Sequence, residues 1–191
     1  ELHFFSQLFS NRKSDILEYM SSVNILSQLF SRQRDGIFNN IIDDELNSLS
    51  SSLLSKELSY SYFDIFEIFL TDITKKNDKI IACTQTPNNL FYIKDILQEY
   101  PNAMVINMVR DNRDVLLSQK NKWKRKFLGA NKIPFFESIR SFFNYHPFTT
   151  SFLWKSSLKL TDEFKDHPRL KIIRFEDFLT SPEKQCRDMC D

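Results

Sequence analysis

The chain has 191 residues, enough for one domain with a real core, and its 41% apolar and 27% charged fractions are those of a globular protein. A net charge of +1 gives no global pull toward nucleic acid or an anionic membrane, and no stretch approaches the roughly 20 apolar residues that a spanning helix needs. Gly36 and Gly129 are the only glycines, so no glycine-rich phosphate loop or dinucleotide fingerprint can be written from this sequence.

The chain opens on Glu1 rather than Met and shows no basic-then-apolar leader, which reads as a fragment or a processed product. Residues 14–33 carry Ile16, Leu17, Met20, Val23, Ile25, Leu26, Leu29 and Phe30, mostly three or four apart. That spacing predicts an amphipathic helix with Ser14 as its cap. Residues 37–46 form a shorter, weaker segment. The stretch from 47 to 61 is rich in Ser and poor in apolar anchors, which predicts a surface loop over its first half. Residues 62–73 are again helical, with Phe63, Phe66, Ile68, Phe69 and Leu70 facing inward.

The second half changes character. Residues 79–83 are a short apolar run, read as a buried strand with Cys83 a buried thiol. Pro87 then opens a helix over 88–99, as a proline in a first turn does. Residues 103–109 (AMVINMV) are the strongest strand, apolar but for Asn107, as strands covered on both faces are. Asp111 or Asn112 caps the next helix, which runs to about Lys126. Residues 135–165 make one or two long helices, with Phe135, Ile139, Phe142, Phe143 and His146 at core spacing. Residues 170–173 are a third short strand, and Ser181-Pro182-Glu183 opens a last helix. Strands alternating with helices predict an α/β fold with a parallel sheet, helix-rich, in a single domain over 1–191.

Ligands of open parallel sheets bind outside the carboxyl ends of the strands. The residues there are Thr84-Gln85-Thr86-Pro87, then Arg110 with Ser118 eight residues on, then Arg174-Phe175-Glu176-Asp177. A guanidinium leaving a buried strand can fork onto a phosphate, the following helix start adds partial positive charge, and Ser118 offers a hydroxyl two turns in. Alternatively, Arg110 forms an ion pair with Asp111, Asp114 or Glu176. Cys186 and Cys190 would need partners from elsewhere to hold a metal, and no metal is expected. The dense basic run Lys120, Lys122, Lys124, Arg125 and Lys126 around Trp123 is a solvated helix face, a collector of an acidic acceptor such as a sulfated or carboxylated glycan, or added charge near the bound phosphate.

The order of these motifs resembles the sulfotransferases that use 3′-phosphoadenylyl sulfate (PAPS). Residues 109–118, V-R-D-N-R-D-V-L-L-S, are similar to that family's strand, Arg-x-Pro-x-Asp and Ser segment, with Asn112 where Pro is common. The resemblance implies that Arg110 and Ser118 hold the donor's 3′-phosphate. Residues 172–178, I-I-R-F-E-D-F, followed by Ser181-Pro182-Glu183, look like the family's strand, Y-E-D-L and D-P-E segment, which places Phe175 near the adenine. Thr84-Gln85-Thr86-Pro87 resembles the Lys-Thr-Pro element, with Gln85 where the family has the lysine facing the phosphosulfate bridge. Glu1-Leu2-His3-Phe4-Phe5 resembles the E-V-H-F-F element, which implies Glu1 as the base on the acceptor hydroxyl.

The resemblance further implies a P-loop-NTPase-like three-layer fold, with PAPS as sulfuryl donor, PAP as product, and a hydroxyl- or amine-bearing acceptor (glycan, peptide or small molecule). No nucleic acid partner and no membrane contact from this segment are expected. The family's phosphosulfate-gripping loop precedes the E-V-H-F-F element, so the chain reads as truncated before Glu1, inactive as it stands, and cut at the carboxyl end as well. Two rivals stand beside this reading: a P-loop nucleotide kinase, and a non-catalytic sulfotransferase-like module. Family members work in the cytoplasm or the Golgi, and the lack of a disulfide pattern leans toward the cytoplasm.

Overall fold

A computed structural model describes residues 2–9, 16–37, 41–129, 134–143 and 145–190, the side chains of Phe143 and Cys190 excepted. The chain divides into two compact units, Glu1–Asn89 and Leu90–Asp191.

The first unit is helical and its core is aromatic. Helices α1 (Tyr19–Asp35), α2 (Asp44–Leu53) and α3 (Tyr62–Lys76) follow a single π-helical turn, Phe4–Leu8. Phe4 and Phe5 of that turn and Phe9 just after it are buried against α3, and Phe4 stacks on Phe66 with ring centroids 4.3 Å apart. Arg32 of α1 donates to the Leu2 carbonyl at 2.8 Å and so ties the start of the described chain to the bundle. Helix α3 begins with a capping box. The Asp64 N–H donates to Ser61 Oγ, and the Ser61 N–H donates to Asp64 Oδ2 at 2.7 Å.

Helix α2 occupies part of the stretch expected to be a loop. Asp43 caps it by accepting from the Leu46 N–H, and Asp44 and Glu45 place negative charge in its first turn. Its serines are used where α1 and α2 meet. Ser27 and Ser50 are fully buried, and the Ser27 hydroxyl donates to Ser50 Oγ at 2.9 Å. Small hydroxyl residues let two helices approach closely, and their polar groups satisfy one another. Helix α1 starts at Tyr19, because Leu17 is engaged in a backbone bridge, its N–H donating to Tyr60 O at 2.8 Å. The expected cap, Ser14, lies outside the described residues.

Residues 79–83 are not a strand. After α3 the chain turns through Asp78 at φ 52°, and the Lys79 N–H closes back on Thr74 O. Ile80 and Ile81 are then 96% and 78% exposed, and Cys83 is exposed rather than buried. Apolarity over five residues favours burial but supplies no ladder partner, and the described sheet has two strands only.

The second unit is built on those two strands, β1 (Val105–Val109) and β2 (Leu170–Arg174), which pair in parallel with Val105 opposite Leu170 and Val109 opposite Arg174. A 3-10 turn over Pro87–Tyr92 leads into α4 (Ile93–Glu99), whose Ile93 and Leu97 pack with Leu170, Leu90, Val105 and Phe164. Between the strands run α5 (Asn112–Lys120), a 3-10 helix (Lys122–Leu128), α6 (Phe135–Phe143) and α7 (Pro147–Glu163); after β2 come α8 (Phe175–Thr180) and α9 (Pro182–Cys190). The result is the expected helix-rich α/β arrangement, a short parallel sheet flanked by helices.

Arg169 joins these parts. Its guanidinium donates to the carbonyls of Leu97, Tyr100 and Pro101 at 2.6, 2.9 and 2.8 Å, which satisfies the end of α4 just where its carbonyls lack helical partners. Two expectations of burial are corrected here. Strand β1 is not covered on both faces, since Ile106 and Met108 are exposed between half-buried neighbours. On α6, Phe135, Ile139 and Phe142 are exposed, as is His146 beyond it.

Candidate functional site

The chemistry gathers where β1 and β2 end side by side. Arg110 leaves β1, and Asp111 caps α5 through Oδ1, which accepts the Arg113 N–H at 2.8 Å. The Arg113 guanidinium also clamps both Asp111 oxygens, at 3.0 and 2.9 Å. These bonds from Arg113 hold the Asp111 carboxyl far below the usual range, at about 2.

Arg110 lies over the ring of Phe175, the first residue of α8, with its Cζ 4.8 Å from the ring centroid. Its Nη2 reaches Asp114 Oδ2 at 3.2 Å. The ion-pair alternative is therefore made, but between side chains 39% and 51% exposed. An exposed pair of this kind contributes only about 0.3–0.5 kcal/mol, little against a doubly charged phosphate taking a two-pronged guanidinium bond. Arg110 Nε is buried with no hydrogen-bond partner, and so is Asn112 Oδ1 two residues on. An unsatisfied buried donor costs about 1–3 kcal/mol, so an anion reaching Nε would relieve a standing penalty.

Ser118 stands one helical turn beyond Asp114 and two beyond Asp111, half-buried on α5. Side chains at i and i+4 share a face, so Arg110, through its bond to Asp114, is held on the face of α5 that carries Ser118. The strand ends are locked by two further contacts. The Asp111 N–H donates to Glu176 Oε1 at 2.9 Å, and the Trp154 indole of α7 donates to the Arg110 carbonyl at 3.0 Å. The Asp111 amide is the first cause that draws the Glu176 carboxyl below its ordinary value.

At the start of α5 the Asp111 and Glu176 carboxylates accept the amides of Arg113 and Asp111. At the ends of the two strands the structure brings together the Arg110 guanidinium and the ring of Phe175, with Ser118 half-buried two turns along α5.

Gln85 belongs to the first unit and is exposed, between half-buried Thr84 and buried Thr86, whose carbonyl accepts the Asn89 N–H at 2.9 Å. Glu1 lies outside the described residues. Two hollows of about 420 and 530 Å³ lie in the first unit and include no candidate residue in their walls. Among the described residues no three His, Cys, Asp or Glu side chains gather as a metal site. Sequence reasoning gave Trp154 no role and saw Glu176 only as an alternative partner for Arg110. A buried indole N–H must find an acceptor, but the sequence does not say which carbonyl it will find.

Fold and site together define an α/β protein with its polar groups collected at the carboxyl ends of parallel strands. The chain belongs to the sulfotransferase family, whose model matches residues 11–191. Membership carries sulfuryl transfer as the general activity, with a hydroxyl-bearing acceptor. No curated protein and no solved structure matches the chain.

Proposed function

We propose that the protein transfers a sulfuryl group from PAPS to a hydroxyl or amine, and that both units belong to one sulfotransferase domain of the P-loop-NTPase-like type. The family match runs across both units and supports that reading. Arg110 and Ser118 take the 3′-phosphate, and the ring of Phe175 lies beside the adenine, able to stack but not to donate a hydrogen bond. The acceptor oxygen bonds to sulfur as the bond from sulfur to the bridging phosphate oxygen breaks, and PAP leaves. Glu1 takes the acceptor proton, and Gln85 faces the phosphosulfate with a neutral amide. Positioning and charge stabilisation dominate such in-line transfers.

The observation that carries this reading is the Arg110 guanidinium, stacked on Phe175 with a buried, unpartnered Nε. Titration calorimetry with adenosine 3′,5′-bisphosphate tests it. Arg110→Ala is expected to weaken binding about 10- to 150-fold, the worth of a charge-assisted contact. Equal affinity in parent and variant removes Arg110 from the site. Gln85 in place of lysine favours a second reading, a module that binds the nucleotide without turnover. Nucleotide binding with no sulfated product would select it.

A further inference from the structure

The 3-10 helix Lys122–Leu128 and α6 form a surface that is both apolar and basic. With three residues per turn, Trp123 and Lys126 fall on one side of the 3-10 helix, and both are partly buried. Trp123 packs edge-on against Phe142 of α6, with ring centroids 5.6 Å apart, and joins the two elements. The remaining apolar groups face water: Leu128 is 80% exposed and Phe136 is 74%, with Phe127 and Phe135 each more than half exposed. The same two elements carry the exposed Lys122, Lys124, Arg125 and Arg140, and Lys120 lies at the end of α5 just before them. The only carboxylate between residues 120 and 143 is Glu137, and it is already paired with Arg140 at 2.6 Å. A protein of net charge +1 has thus concentrated its excess cations around an exposed cluster of rings.

We propose that this surface rests on an anionic lipid bilayer, with Phe127, Leu128 and Phe136 entering the headgroup–acyl boundary and the neighbouring cations meeting lipid phosphates. Charge complementarity and the chemistry of the exposed side chains select this occupant. Phe and Leu carry no hydrogen-bonding group, and their desolvation is favourable only in an apolar medium. An acidic glycan would pair with the lysines and leave these rings in water. An anionic bilayer takes both parts of the surface at once and needs no shaped groove, as basic, aromatic-bearing interfacial helices do. The contact is peripheral and replaces the expectation of no membrane contact, which rested on the lack of a spanning run. It uses no residue assigned to the nucleotide, so either proposal stands or falls without the other.

Co-sedimentation tests it, with vesicles of phosphatidylcholine containing phosphatidylserine set against vesicles of phosphatidylcholine alone. The chain is expected to pellet with the anionic vesicles, less so at high salt. Lys122→Gln and Lys124→Gln should each weaken partitioning about fivefold. Leu128→Asp with Phe136→Asp should abolish it even at low salt, with the helical circular dichroism unchanged. Equal partitioning into both vesicle types overturns the proposal, as does anionic binding that survives the double Asp variant. Retention on heparin without vesicle binding overturns it in favour of an acidic glycan. A concentration-dependent dimer lost in Leu128→Asp, again without vesicle binding, overturns it in favour of a second copy.

Discussion

Asp111 shows how a carboxylate at a strand end is held ionised. Arg113 donates to it from both side chain and backbone, and its carboxyl falls from the ordinary 3.8 to about 2. The unfolded chain therefore binds a proton near 3.8 that the folded chain refuses until about 2, so protonation favours unfolding in that window. The contribution is complete above the ordinary value and is lost as pH falls through the folded one. Carbon-detected NMR titration should give Asp111 a midpoint of about 2, and Arg113→Ala should move that midpoint up toward 3.8. Glu176, lowered first by the Asp111 amide, loses its contribution in the same direction as acid is added. The positions of Arg110 and Phe175 at the strand ends were legible, since Arg110 follows the run at 103–109 and Phe175 comes one residue after the run at 170–173. The Trp154 and Glu176 contacts were not, since they join residues 44 and 65 apart in the chain.

The helices of the first unit depend on rings more than on propensity. Phe66 contacts Phe4, Phe5 and Phe69 with centroids 4.3, 5.4 and 6.4 Å away. Phe66→Ala should destabilise the protein by about 3–5 kcal/mol, read as a lower urea midpoint, because the neighbouring rings cannot collapse fully into the space. In the second unit Arg169 spans three carbonyls, those of Leu97, Tyr100 and Pro101. Arg169→Ala should cost about 1.5–3 kcal/mol in the same measurement. Arg169→Lys should recover little of it, since an ammonium lacks the planar fork. The helices at 19–35 and 62–76 were legible because their apolar residues keep helical spacing, whereas α2 was hidden by its serines, which look like loop until Ser27 is seen against Ser50. The run at 79–83 misled in the opposite sense: a strand is a pairing, and Ile80 and Ile81 show only that the run is apolar.

Taken whole, the composition concealed how unevenly the chain distributes its chemistry. Nineteen phenylalanines could have made one core. Phe4, Phe5, Phe9, Phe63, Phe66 and Phe69 are buried in the first unit, while Phe127, Phe135, Phe136, Phe148 and Phe152 of the second are exposed. The near-zero net charge likewise averages over a strongly basic stretch at 120–142 and acidic helix starts elsewhere. Averages of this kind bound the protein's class but not its surfaces, which is why the motif order at 84–87, 109–118 and 172–183 carried more functional information than any global number.

The exposure of Cys83 has a practical side. Cys186 is exposed as well, and the two thiols fall one in each compact unit. With Cys190 replaced by serine, a donor and an acceptor fluorophore can be attached to them, and energy transfer would register any change of spacing as nucleotide is added.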